Sequence, residues 1–102
     1  MLFRSLSTCS LTQTENKSIS IGVANSVITF SQEINGLEIV NNSSSATIYI
    51  DFSGIATTST GLPIYSKQYY SCSRKMLSFN VISSNANTDV RIMGHFEFKA
   101  LN

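Results

Sequence analysis

Three observations predict an all-β fold, a single antiparallel β-sandwich of jelly-roll or Ig-like type with about seven or eight strands. From Ser18 onward apolar residues recur with period two, which in an extended chain sends them all to one face. β-Branched and aromatic residues fill those positions, and no eleven-residue stretch keeps a 3.6-residue period. Clusters of Asn, Ser and Gly punctuate the runs about every ten residues.

In chain order, Ile19, Ile21 and Val23 alternate with small polar residues, and Asn25-Ser26 offers a turn. Ile28 and Phe30 define the next face. Asn35-Gly36 is a strong hairpin signal, since both central residues of a type I′ turn need positive φ, so it is expected to join Val27–Glu33 directly to Leu37–Val40. After the polar cluster 41–45, Ile48, Ile50 and Phe52 point one way and Thr47, Tyr49 and Asp51 the other. A Thr/Ser loop from Gly54 to Gly61 ends at Pro63, which removes a ladder donor. Lys67–Ser73 reads as a tyrosine-rich strand, and Leu77, Phe79 and Val81 as another inward face. In the last strand Val90, Ile92, Gly94, Phe96 and Phe98 face inward, against Arg91, Met93, His95, Glu97 and Lys99 outward.

Composition narrows the function. The 102 residues suffice for one core, organised as an N-terminal arm, residues 1–16, and a β-sandwich domain, residues 17–102. Charged residues make up only 13%, and 18 Ser, 9 Thr and 9 Asn take their place. A net charge of +1 with scattered cations gives no basic stripe, so direct nucleic-acid binding is not expected. Apolar runs are too short for a membrane helix or for the hydrophobic segment of a secretory signal, so no membrane partner is expected. Cys9 and Cys72 lie far apart without the near neighbour a metal-ligand pair needs; a disulfide between arm and core is one alternative, two separate thiols the other.

No catalytic constellation emerges, and no cofactor or metal is expected. His95, the single histidine, falls on an outward strand face beside Glu97 and Met93; Asp51 and Asp89 could in principle orient it, and no motif singles out a serine nucleophile. Glu33 and Glu38 flank Asn35-Gly36 and read as solvating that turn rather than as a glycosidase pair. Two regions read as partner surfaces instead. Leu2, Phe3, Leu6 and Leu11 are large apolar residues in an arm with no period, which a small core has no room for. Tyr65, Tyr69 and Tyr70 crowd the turn after Pro63, and tyrosine gives a large contact area at low entropic cost.

The stretch Asn41-Asn42-Ser43-Ser44-Ser45-Ala46-Thr47-Ile48-Tyr49-Ile50-Asp51-Phe52-Ser53-Gly54 resembles a segment of small virion proteins of tailed bacteriophages. In these a polar turn leads into an alternating strand, a G-x-x-T loop and a G-x-P-I/L turn. Gly61-Leu62-Pro63-Ile64, Tyr69-Tyr70, Val81-Ile82-Ser83-Ser84 and Thr88–Ile92 continue the likeness, which spans Leu37 to Phe98. The resemblance implies a non-enzymatic β-sandwich that is made in the host cytoplasm and resides in the virion. It would pack in many copies, or as a homo-oligomer, on major capsid, portal, neck or tail subunits as a decoration, neck or tail accessory protein. The alternative is a receptor- or carbohydrate-binding module of a tail fibre or spike, using tyrosines with Asn and Asp side chains.

Overall fold

The computed structural model describes residues 12–97, which form eight strands and, among these residues, no helix. They are β1 (Thr12–Ile21), β2 (Ser26–Ile34), β3 (Gly36–Asn41), β4 (Ile48–Asp51), β5 (Leu62–Ile64), β6 (Tyr69–Cys72), β7 (Met76–Ser83) and β8 (Thr88–Glu97). One sheet has the order β1-β8-β3-β6 and the other β2-β7-β4-β5, with every recorded pairing antiparallel. The two sheets pack face to face as a small β-sandwich. Apart from β4 and β5, sequence neighbours do not pair, and the chain keeps changing sheets. That order is the jelly roll's rather than the immunoglobulin fold's.

The predicted alternation holds where a strand lies on the core. Ile48 and Ile50 of β4 are buried, as are Val90, Ile92, Gly94 and Phe96 of β8. Gly94 has a packing reason: a Cβ there would lie 2.8 Å from a Phe30 ring carbon and 2.9 Å from Ile34 Cγ2, so only glycine lets β2 side chains approach β8 this closely.

Four expectations change. Thr12–Asn16, assigned by sequence to the arm, pair with Glu97–Met93 and belong to β1. Val23 lies beyond the end of β1 and is 62% exposed. Leu77 is half exposed while its neighbour Met76 is buried, because five steps along β2 from Thr29 to Ile34 are matched by only two along β7 from Ser78 to Met76. The excess bulges out as the exposed Ser31-Gln32-Glu33; β2 keeps its inward phase at Ile28, Phe30 and Ile34, while that of β7 shifts between Met76 and Phe79.

Asn35-Gly36 is not a hairpin turn. Ile34 pairs with Met76 in one sheet and Gly36 with His95 in the other, so the chain crosses between layers at this dipeptide. Asn35 N–H donates to His95 O at 2.8 Å, and Asn35 O accepts from Arg74 N–H at 3.1 Å. Among the described residues positive φ occurs at Lys67 and Asn87, so Asn35-Gly36 lacks the type I′ geometry. Ile34 and Leu37 are both buried, and the two-layer core overrides the local turn preference.

One side of the sandwich is closed by a carboxylate. Glu15 of edge strand β1 accepts from Ser31 N–H at 2.9 Å and Ser31 Oγ–H at 2.8 Å on edge strand β2, occupying an edge donor of the opposite sheet. Lys17 Nζ lies 3.2 Å from the other Glu15 oxygen and 5.8 Å from the Phe30 ring centroid. The Ser31 amide, then its hydroxyl, hold the Glu15 carboxyl below its ordinary range. The backbone amides of Ser53 and Gly54 do the same for Asp51, and Arg91, then Asn42, for Asp89. A carboxyl whose folded-state value is depressed binds fewer protons folded than unfolded, so its stabilisation is complete above the unfolded-state value and lost as pH falls through the folded one. Thermal stability is therefore expected to fall on acidification below about pH 4. Glu15→Gln should lower the midpoint at pH 7 and reduce that acid dependence, as read by calorimetry across pH 2–7.

Candidate functional site

The outward face of the β1-β8-β3-β6 sheet brings together side chains far apart in sequence. Antiparallel register aligns Ser18, Arg91, Val40 and Tyr69 in one row across the four strands, and Asn16, Met93, Glu38 and Ser71 in the next. Asn16, Lys17, Ser18, Glu38, Val40, Arg91 and Met93 line a shallow depression on this face, and Tyr69, two-thirds exposed, lies beyond it on β6, paired with Val40 in the Arg91 row.

Arg91 is held in a forked pair. Its Nε donates to Asp89 Oδ1 at 3.2 Å and its Nη2 to Asp89 Oδ2 at 3.1 Å, while Asn42 Nδ2 donates to the same Oδ2 at 2.8 Å. The carboxylate raises the guanidinium above its ordinary range. With both partners substantially exposed the pair adds little to stability, but it fixes the guanidinium plane. In the row beyond, His95 Nε2 lies 3.3 Å from Glu38 Oε2 without hydrogen-bond geometry.

The sequence-derived candidates separate in space. Tyr69 faces outward. Tyr70, next along β6, turns inward against Phe52 with ring centroids 6.4 Å apart, and burial there, then Cys72, push its phenol up. Tyr65 sits exposed in the connection from β5 to β6. Leu2, Phe3, Leu6 and Leu11 lie outside the described residues, as does Cys9 and hence any pairing of Cys9 with Cys72.

Chemistry around His95 does not assemble. Asp89 is engaged by Arg91, and Asp51 lies in the opposite sheet, where it accepts from Ser53 and Gly54 N–H. Cys72 borders the same cleft as His95, but it pairs with the inward Leu37 whereas His95 pairs with the outward Gly36, so thiol and imidazole sit on opposite faces. Glu33 and Glu38 are in different sheets. Among the described residues no cluster of three His, Cys, Asp or Glu side chains is placed to hold a metal, and no helix is long and apolar enough to cross a membrane.

Sequence reasoning missed Asn16, Ser18, Asp89, Arg91 and Met93 as parts of one surface. Outward alternation in the last strand was the available signal, but the strand order that places β1 and β3 on either side of it is a long-range property.

No family model matches the chain, and no curated protein matches it. A solved structure described as "Bacillus endospore appendages form a novel family of disulfide-linked pili" is similar over 86% of this chain and 88% of its own, with 10% sequence identity and a TM-score of 0.48.

Proposed function

We propose that this chain is a non-enzymatic structural subunit of a tailed-phage virion, made in the host cytoplasm, that packs in many copies on capsid, neck or tail proteins and stabilises or joins them. The observation that carries the reading is a hydrogen-bonded node presenting aliphatic side chains to solvent. Asn25 Oδ1 accepts from Ala56 N–H at 2.8 Å and Asn25 Nδ2 donates to Asn80 Oδ1 at 3.0 Å, tying the β1–β2 turn to the β4–β5 loop and to β7. Val23 and Val27 flank Asn25, and Ile55 precedes Ala56; they are 62%, 60% and 71% exposed. Fixed aliphatic groups on a surface otherwise rich in hydroxyls suit burial against a neighbouring protein. The low charge density supports the same reading, because like-charged copies repel across every contact.

The test is incorporation into particles. Val27→Asp combined with Ile55→Asp is expected to deplete the protein from purified virions, as measured by mass spectrometry, while the melting temperature of the isolated protein stays near the parent's. Undiminished incorporation of the double variant would refute this contact surface, and absence of the wild-type protein from purified particles would refute the virion role.

A further inference from the structure

We infer that the outward face of the β1-β8-β3-β6 sheet is a binding site for a neutral oligosaccharide. This site is independent of the virion reading, because it lies on the opposite sheet from Val27. The row Ser18, Arg91, Val40 and Tyr69 crosses three inter-strand steps, roughly 14 Å, the scale of a short glycan laid across the strands.

A pyranose has an apolar ring face and a rim of hydroxyls, and this surface offers a complement to each. The exposed Tyr69 ring supplies a stacking platform, with Val40 and Met93 extending the apolar floor. Asn16, Ser18 and Glu38 line the same depression and carry both donors and acceptors for hydroxyl groups. The charge arrangement selects for neutrality. Both cations that line the depression are paired, Arg91 with Asp89 at 3.1 Å and Lys17 with Glu15 at 3.2 Å, and Glu38 adds a negative charge to the floor, so a phosphorylated or carboxylated ligand would meet no cation without a carboxylate partner there. Arg91 nevertheless retains Nη1 and the remaining Nη2 hydrogen for donation, in a plane already fixed by Asp89 and, behind it, Asn42.

The test is a printed array of neutral, sialylated and sulfated glycans probed with the full chain. The expected result is retention of neutral glycans, weakened about tenfold or more by Tyr69→Ala and by Arg91→Met and unchanged by Tyr65→Ala, with circular dichroism confirming that each variant folds. Asp89→Asn uncovers the guanidinium charge and should shift preference toward acidic glycans. Titrating the strongest neutral hit into labelled wild-type protein should move the amide resonances of Ser18, Val40, Tyr69 and Arg91, which keeps the inference testable if a variant misfolds. Retention of no glycan, retention of acidic glycans alone, indifference to both Tyr69→Ala and Arg91→Met, or resonance shifts confined to another face would each overturn it.

Discussion

Replacing Phe79 with alanine is expected to lower the unfolding free energy by about 3–5 kcal/mol, a large share of the roughly 5–15 kcal/mol typical of a small domain. Phe79 of β7 is 1% exposed and occupies the middle of an aromatic chain that crosses the sandwich. Its ring centroid lies 6.2 Å from Phe30 of β2 on one side and 6.2 Å from Phe52, which follows β4, on the other. Phe52 in turn meets Tyr70 of the opposite sheet and carries the Arg74 guanidinium 4.7 Å from its centroid. Truncation removes two aromatic contacts as well as buried area, and backbone ladders on either side of β7 keep the sheet from collapsing into the void. Urea unfolding should show the midpoint falling with little change in slope, and Phe79→Leu, which refills much of the volume, should recover part of the loss. A Phe79→Ala midpoint indistinguishable from wild type would mean that this ring is not a central support of the core.

The fold class was legible in the sequence because most strands lie on a single core, and burial writes a period of two into such strands. β4 and β8 show it in full, with Ile48 and Ile50, and Val90, Ile92 and Phe96, all buried. The same period, applied to β6, would have separated Tyr69 from Tyr70, which composition alone had grouped. What stayed hidden depends on partners distant in the chain. Asn35-Gly36 carries hairpin chemistry, yet it crosses between sheets because Ile34 finds Met76 and Gly36 finds His95. Leu77 leaves the core because of a bulge in the partner strand, not because of anything in its own neighbourhood. The outward row from Ser18 to Tyr69 exists only once β8 lies between β1 and β3, and no local pattern encodes that order.

Asn41 is a further case, since it reads as the start of a polar turn but is the buried last residue of β3. Its Nδ2 donates to Ala46 O at 2.8 Å and to Ile64 O at 2.9 Å, and its Oδ1 accepts from Ser43 N–H at 3.1 Å and Ser43 Oγ–H at 2.8 Å. Its backbone N–H donates to Gln68 O, and its carbonyl accepts from the N–H of Lys67, a residue held at φ 64. One carboxamide thus joins the β3–β4 connection to the end of β5, while its backbone anchors the turn into β6. Asn41→Leu keeps the volume but takes the side-chain donor from the Ile64 and Ala46 carbonyls, leaving Ala46 O only the Ser43 Oγ–H at 3.1 Å, and strands the Ser43 amide, for an expected loss of about 2–4 kcal/mol. Asn41→Asp tests the same node by charge. An ionised carboxylate there would face two carbonyls with nothing to donate, so the folded state favours the protonated acid and raises its pKa above the unfolded value. The folded variant then binds more protons than the unfolded one across that interval, and its stability falls as pH rises, the reverse of the Glu15 dependence. Chemical denaturation at pH 4 and pH 8 should show Asn41→Asp closer to wild type at the lower value. Equal losses at both would mean that the carboxylate escapes to water and that Asn41 does not bridge the two connections.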